Sequence, residues 1–308
     1  MSLPGTLFLR PPPTAPPERL AAFRIILGAF VVSYLVVRMP VFLELGTREP
    51  SRFDPAGAFQ WIDRPFRGTA NTALLVMTLA TGVAFTLGWR FRVTGPVFAV
   101  VLLLLTSHRS SWGQLLHFEN LMVLHVITIA GFRAADAWSL DVRRRNNRVV
   151  APAPDVRYGF PLQLASVVVV VTYVIAGVAK LRYGGLEWLT GDSLRNHIAY
   201  SATRVELLGG RSSPLAASLV SNARILRPIA AVTVLIELAA PLALIGRRFR
   251  NVWVASAWFM HLGVLAFMFI GFPSPLLLVA FAPMFDLEHV GERVEAYVRG
   301  TFVRLDPS

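Results

Sequence analysis

Residues 160–181 read FPLQLASVVVVVTYVIAGVAKL. Twenty-two residues with a single charge, placed at the end, are long enough to cross the hydrocarbon core of a bilayer as a helix. The charge is Lys180, the only lysine in a chain of 30 basic residues; all the others are arginine. Arginine keeps its proton in a protein, whereas a desolvated lysine can lose it and act as a base or nucleophile. The plainer reading of Lys180 is a side chain that snorkels to the headgroups. Tyr173, Ala176, Gly177 and Lys180 follow i, i+3, i+4, i+7 and share one helix face. Ala176 and Gly177 admit a neighbouring helix or a flat ligand close to the backbone. Tyr173 offers that neighbour a ring or a hydroxyl.

The rest of the chain repeats the pattern. Of its 308 residues 55% are hydrophobic and 16% charged, with a mean hydropathy of +0.56. Soluble domains carry about a quarter charged residues. The reading is an all-α integral membrane protein, a bundle of about eight transmembrane helices (seven to nine) around an outward-facing polar cavity. The expected spans are 20–43, 69–88, 94–107, 115–132, 160–181, 225–245, 252–270 and a short 276–285. Residues 1–19 form a Pro-rich, disordered cytosolic lead-in without a cleavage site, 20–285 the membrane domain, and 286–308 a short amphipathic cytosolic tail. The net charge of +12 lies mostly in arginine-rich loops between spans. That serves topology and anionic lipid, and excludes a need for nucleic acid. Arginines favour the amino-terminal side, so both termini are expected in the cytosol of a multi-pass plasma-membrane protein.

Ionisable residues inside spans are costly in lipid and are expected to face the bundle interior. Arg24 should snorkel or pair with a buried acid, and Glu119 and Glu237 should join it in a polar core. With eight spans, His108, His117, Glu119 and Lys180 fall near the outer leaflet, and His125, Glu237 and His261 nearer the midplane. The expected cavity has Lys180 and His117 at its mouth and Glu237 and His261 at its floor. His117, His125, His261 and Glu237 invite a metal, but there is no H-E-x-x-H and His117 and His125 do not share a face. No metal is expected.

Several motifs resemble one family. They are Tyr173-x-x-Ala176-Gly177-x-Ala179-Lys180-Leu181, Glu187-Trp188-Leu189-x-Gly191, Leu87-Gly88-Trp89-Arg90-x-Arg92, Asp136-x-Trp138-Ser139-Leu140-Asp141, Glu237-Leu238-x-x-Pro241 and His261-x-Gly263. Together they resemble the membrane portion of vitamin K-dependent γ-glutamyl carboxylases, and more closely the bacterial HTTM (horizontally transferred transmembrane) domain proteins. The resemblance implies an intramembrane lysine, here Lys180, that deprotonates a reduced quinone, with His117 assisting a second proton transfer. It also implies a reduced naphthoquinone (menaquinol or vitamin K-like), oxygen and carbon dioxide as reactants. Tyr173, Gly177, Trp188, His125 and His261 are the expected cofactor contacts. The carboxylases follow their spans with a luminal domain that presents glutamates, and nothing comparable stands in these 308 residues. A small lipid-soluble substrate or a secreted peptide is therefore the expected partner beyond the bilayer. The alternative is a non-catalytic membrane protein that helps mature or export such a peptide.

Overall fold

A computed structural model describes residues 13–113, 117–145 and 153–289, with the side chains of His117 and Ala223 left aside. It divides into two compact units, Met1–Ala165 with Ala282–Ser308, and Ser166–Phe281. Each is helical. The one strand-like pairing among the described residues is Ala15 with Asp155.

In the first unit α1 spans Pro17–Val37. Proline suits the first helical turn because its missing N–H would have no partner there. The helix stops at Arg38 because Pro40 has no N–H to give the carbonyl four residues back and its ring crowds that carbonyl. A short α2, Met39–Glu44, follows. The expected span 20–43 is therefore broken. Three 3₁₀ turns, Leu45–Thr47, Pro50–Arg52 and Gly57–Trp61, lead to α3, Gly68–Leu87. Gly88 ends α3 in the left-handed region at φ 63°, where a side chain would be strained. A Cβ at Gly88 would also lie 2.5 Å from Cβ of Ser139. Then come α4, Phe91–Ser110, α5, His117–Ala130, and α6, Leu140–Arg144.

Two polar devices shape this unit. Arg24 of α1 is completely buried. It meets no acid: Nη1 donates to the carbonyls of Ala134 (2.5 Å) and Ala137 (3.4 Å), and Nη2 to that of Trp138 (2.6 Å). These carbonyls sit in non-helical chain after α5 and lack helical partners. A rigid fork of donors supplies them. This corrects the expectation that Arg24 snorkels or pairs with an acid. The Asp136-x-Trp138-Ser139-Leu140-Asp141 motif has a similar purpose. Ser139 caps α6 by accepting from Val142 N–H (3.1 Å). Asp141 accepts from the N–H groups of Arg90 (2.7 Å) and Phe91 (2.9 Å) at the start of α4. Arg19 holds the returning chain through Asp286 (2.8 Å) and Glu288 (2.5 Å). Burial alone would push the Glu288 carboxyl up, but its pairing with Arg19 leaves it below its ordinary value.

α7, Val156–Gly184, continues from the first unit into the second. The second unit then contains α8, Glu187–Thr190, α9, Asp192–Leu207, α10, Pro214–Val220, and α11, Ala223–Leu238. A 3₁₀ turn at Ala240–Leu244, α12 at Arg247–Met268 and α13 at Pro273–Leu276 follow.

Among the described residues five helices, α1, α3, α4, α7 and α12, are long and apolar enough to cross a membrane; α10 and α11, bent by 101°, add a sixth if taken as one span. The chain is thus a multi-pass membrane protein; among the described residues the continuous spans number fewer than the eight expected. Each difference has a local cause. Among the described residues α5 covers 14 positions, about 21 Å at 1.5 Å per residue, against a hydrocarbon core of about 30 Å. α11 ends at Leu238 because Pro241 cannot continue it. In the expected span 276–285, Pro283 leaves only a 3₁₀ turn, Val279–Met284. The lead-in up to residue 12, and the tail from 290 onward with its apolar stripe, lie outside the described residues.

Candidate functional site

The polar cluster of the second unit is built on one face of α7. At Gly177 the backbone comes against α11: a Cβ there would lie 2.9 Å from Leu238 Cδ2 and 3.0 Å from Glu237 Cβ. This close approach lets Lys180, one turn further on, reach across. Its ammonium donates a hydrogen bond and ion pair to Glu237 Oε1. The Lys180 side chain is 22% exposed and that of Glu237 6%. The expected mouth and floor of the cavity are therefore one contact, not two levels. Replacing Gly177 with valine should separate α7 from α11 and cost about 2 kcal/mol, the usual scale of overpacking. Thermal unfolding of the detergent-solubilised protein measures it.

Lys180 has a second neighbour. Its Nζ lies 5.2 Å from the centroid of the Trp188 ring, within cation–π range. The indole is stacked on His197 at 5.5 Å and 27°. Gly184 makes room for it, since a Cβ there would meet Trp188 Cδ1 at 2.3 Å. The Trp188 motif thus places an aromatic face beside the amine.

One turn before Gly177, the Tyr173 ring packs edge-on to Trp253 (5.0 Å) and His261 (5.8 Å), and tilted on Phe281 (6.2 Å). His261 Nδ1 lies 2.9 Å from the Ala257 carbonyl. A carbonyl only accepts, so Nδ1 carries the proton, and in the neutral ring Nε2 carries the lone pair. Trp253 is fixed by donating to the carbonyl of Ile236 (2.9 Å). Two atoms in this cluster are buried without a hydrogen-bond partner: the Tyr173 hydroxyl and Glu237 Oε2. Leaving such atoms unsatisfied in the interior costs about 1–3 kcal/mol each. A ligand offering both a donor and an acceptor would satisfy them.

A separate apolar cavity of about 520 Å³ is lined largely by α11 and α12 and by none of Tyr173, Lys180, Trp188, Glu237 or His261. Pro228, Val232, Ile236, Phe259, Met260 and Val264 are among its lining.

The structure thus brings together Tyr173, Gly177, Lys180, Trp188, Glu237 and His261. Arg24, Glu119 and His125 belong to the first unit, each with partners of its own there. Glu119 accepts from the Tyr34 hydroxyl and from Arg109 (2.9 Å) on the same oxygen. His125 Nε2 lies 3.3 Å from the Ala165 carbonyl and its ring is edge-on to Phe23. The side chain of His117 lies outside the described residues. His108 is wholly buried among Phe53, Phe59, Phe66 and Trp112, and accepts from Phe66 N–H (3.2 Å). The bounds of the expected span 94–107 placed it at that span's outer end, but nothing in the sequence announced the aromatic box. Among the described residues no three His, Asp or Glu side chains group as metal ligands would.

A search of curated proteins and a search of solved structures each returned no match. The HTTM domain profile matches residues 13–288. That span takes in both units and the whole Lys180 cluster, and the chain belongs to the HTTM domain family.

Proposed function

We propose that this chain is a membrane enzyme acting on a reduced quinone, with Lys180, partnered by Glu237, as the group that accepts the proton. The observation that carries the reading is the pair of buried unsatisfied atoms in the same cluster as the amine, Tyr173 OH and Glu237 Oε2. A phenolic hydroxyl suits both: it donates to the carboxylate oxygen and accepts from the tyrosine. A reduced naphthoquinone, when bound, supplies the reducing electrons that oxygen chemistry draws on. The protein's own residues do the remainder. The step needs the neutral form of the pair, with the shared proton on Oε1 and Nζ a free amine: Oε2 would then take the hydroxyl proton as Oε1 passes its own to Nζ, which becomes the ammonium. Trp188 holds the amine in place and covers it from water. His261 and Trp253 fix the ring of Tyr173. The apolar cavity on α11 and α12 offers room for an apolar chain. We place the reaction in the plasma membrane with both termini cytosolic, and its partner is a small lipid-soluble substrate or a secreted peptide.

The test is oxygen consumption by the full chain in detergent with a reduced naphthoquinone. Lys180→Arg keeps the charge but removes the exchangeable amine. Uptake should fall at least about a hundredfold, the lower end for loss of a general base. Uptake equal to the parent's removes the base assignment.

One observation favours a second reading. Lys180 is already neutralised by Glu237 and faces Trp188, so the cluster also serves as a clasp between α7, α8 and α11. A non-catalytic membrane partner for a secreted peptide needs no more. It predicts no oxygen uptake in the parent protein and full secretion of the peptide by the Lys180→Arg variant.

A further inference from the structure

The α3–α4 turn carries a feature that the Lys180 cluster does not use. Trp89 follows the left-handed Gly88 and is partly exposed at the end of two membrane-crossing helices. Two guanidinium groups lie against its ring: Arg90 at 5.5 Å and Arg144, from α6, at 5.8 Å. Arg92, Arg143 and Arg145 are exposed on the same short segments. None of these five arginines forms an ion pair among the described residues. The acids within reach in sequence are engaged. Asp141 uses both oxygens on the N–H groups of Arg90 and Phe91. Asp136 faces Arg133 (3.7 Å) and accepts from Tyr158 (3.0 Å). The motif that joins α6 to the α3–α4 turn therefore commits its carboxylates to other partners, and the five arginines outnumber them, so the segments keep a net positive charge.

Such charge at the end of spanning helices, beside an interfacial tryptophan, is complementary to an anionic lipid surface. The geometry is also preorganised. Arg90 is fixed by its backbone, in the left-handed region at φ 45° with Asp141 capping its N–H, and Arg144 by α6. Both side chains rest on one indole, so less freedom is lost when they bind. We propose that Trp89, Arg90 and Arg144 form a binding site for the phosphodiester headgroup of an anionic phospholipid. The guanidiniums donate to the phosphate oxygens, and the indole holds them at headgroup depth. Arg92, Arg143 and Arg145 strengthen the surrounding field. The site is independent of the Lys180 chemistry.

The experiment titrates the detergent-solubilised full chain with short-chain phosphatidylglycerol or phosphatidylcholine and reads bound lipid by native mass spectrometry. The parent protein should prefer phosphatidylglycerol. Arg90→Gln with Arg144→Gln should lose about thirtyfold of that affinity, as expected for two basic side chains at an anionic surface. Trp89→Ala, which changes no charge, should lose several-fold, and Trp89→Phe should retain it. Arg52→Gln with Arg64→Gln removes equal charge elsewhere and should change binding less than twofold. An unchanged thermal midpoint shows that each variant is folded. The proposal is overturned if phosphatidylglycerol is not preferred. It is also overturned if the Arg52/Arg64 variant loses as much, or if inorganic phosphate at equal concentration displaces the lipid.

Discussion

Replacing Glu237 with leucine, with Lys180 left in place, should destabilise the protein by about 3 kcal/mol, the lower end for breaking a buried ion pair. The carboxylate side chain is 6% exposed and its partner 22%. Removing the acid therefore strands a largely desolvated ammonium, and Trp188 alone does not neutralise it. Lys180→Met should cost about as much, because it strands the acid in turn. The double variant, Lys180→Met with Glu237→Leu, should recover most of the loss, since two apolar side chains of similar volume need no desolvation energy returned. Denaturation of the three variants in one detergent measures the coupling. Additive losses would mean that the two side chains do not depend on one another.

Arg24→Met should produce a loss of similar size in the first unit, about 3 kcal/mol or more. Here no partner charge is stranded; the damage falls on the backbone. The carbonyls of Ala134, Ala137 and Trp138 would lose their donor inside the protein, at about 1–3 kcal/mol for each unsatisfied group. Arg24→Lys should rescue little. A point-like ammonium cannot reproduce the planar fork that serves Ala134 and Trp138 from different nitrogens. Thermal unfolding of the two variants against the parent checks this. Full rescue by lysine would show that the charge, not the fork, holds the loop.

These two residues show what can be read from sequence and what cannot. Long apolar runs announced α1, α3, α4, α7 and α12, because helix length and hydropathy are local properties. The prolines that shorten the other segments were visible, but Pro40 and Pro241 act on the residues before them, and hydropathy passes over both. That Arg24 needed partners was evident from its place in a span. That the partners are carbonyls was not, because every residue has one and none leaves a mark in the sequence. The face shared by Tyr173, Gly177 and Lys180 follows from helical periodicity. The pairing of Lys180 with Glu237 spans 57 positions and depends on the register of α7 against α11, which Gly177 sets through packing. Trp188 could be identified from its motif, but its place beside the amine depends on Gly184 and on the turn that leads into α8.

The single lysine allows a direct test of the account. Protein labelled with ¹⁵N at the lysine side-chain nitrogen gives one amine resonance, that of Lys180, with no need for assignment. Adding a reduced naphthoquinone should shift it, and adding the same ligand to Tyr173→Phe should shift it less. A resonance that stays in place at saturating ligand would contradict the claim that this amine meets the quinone.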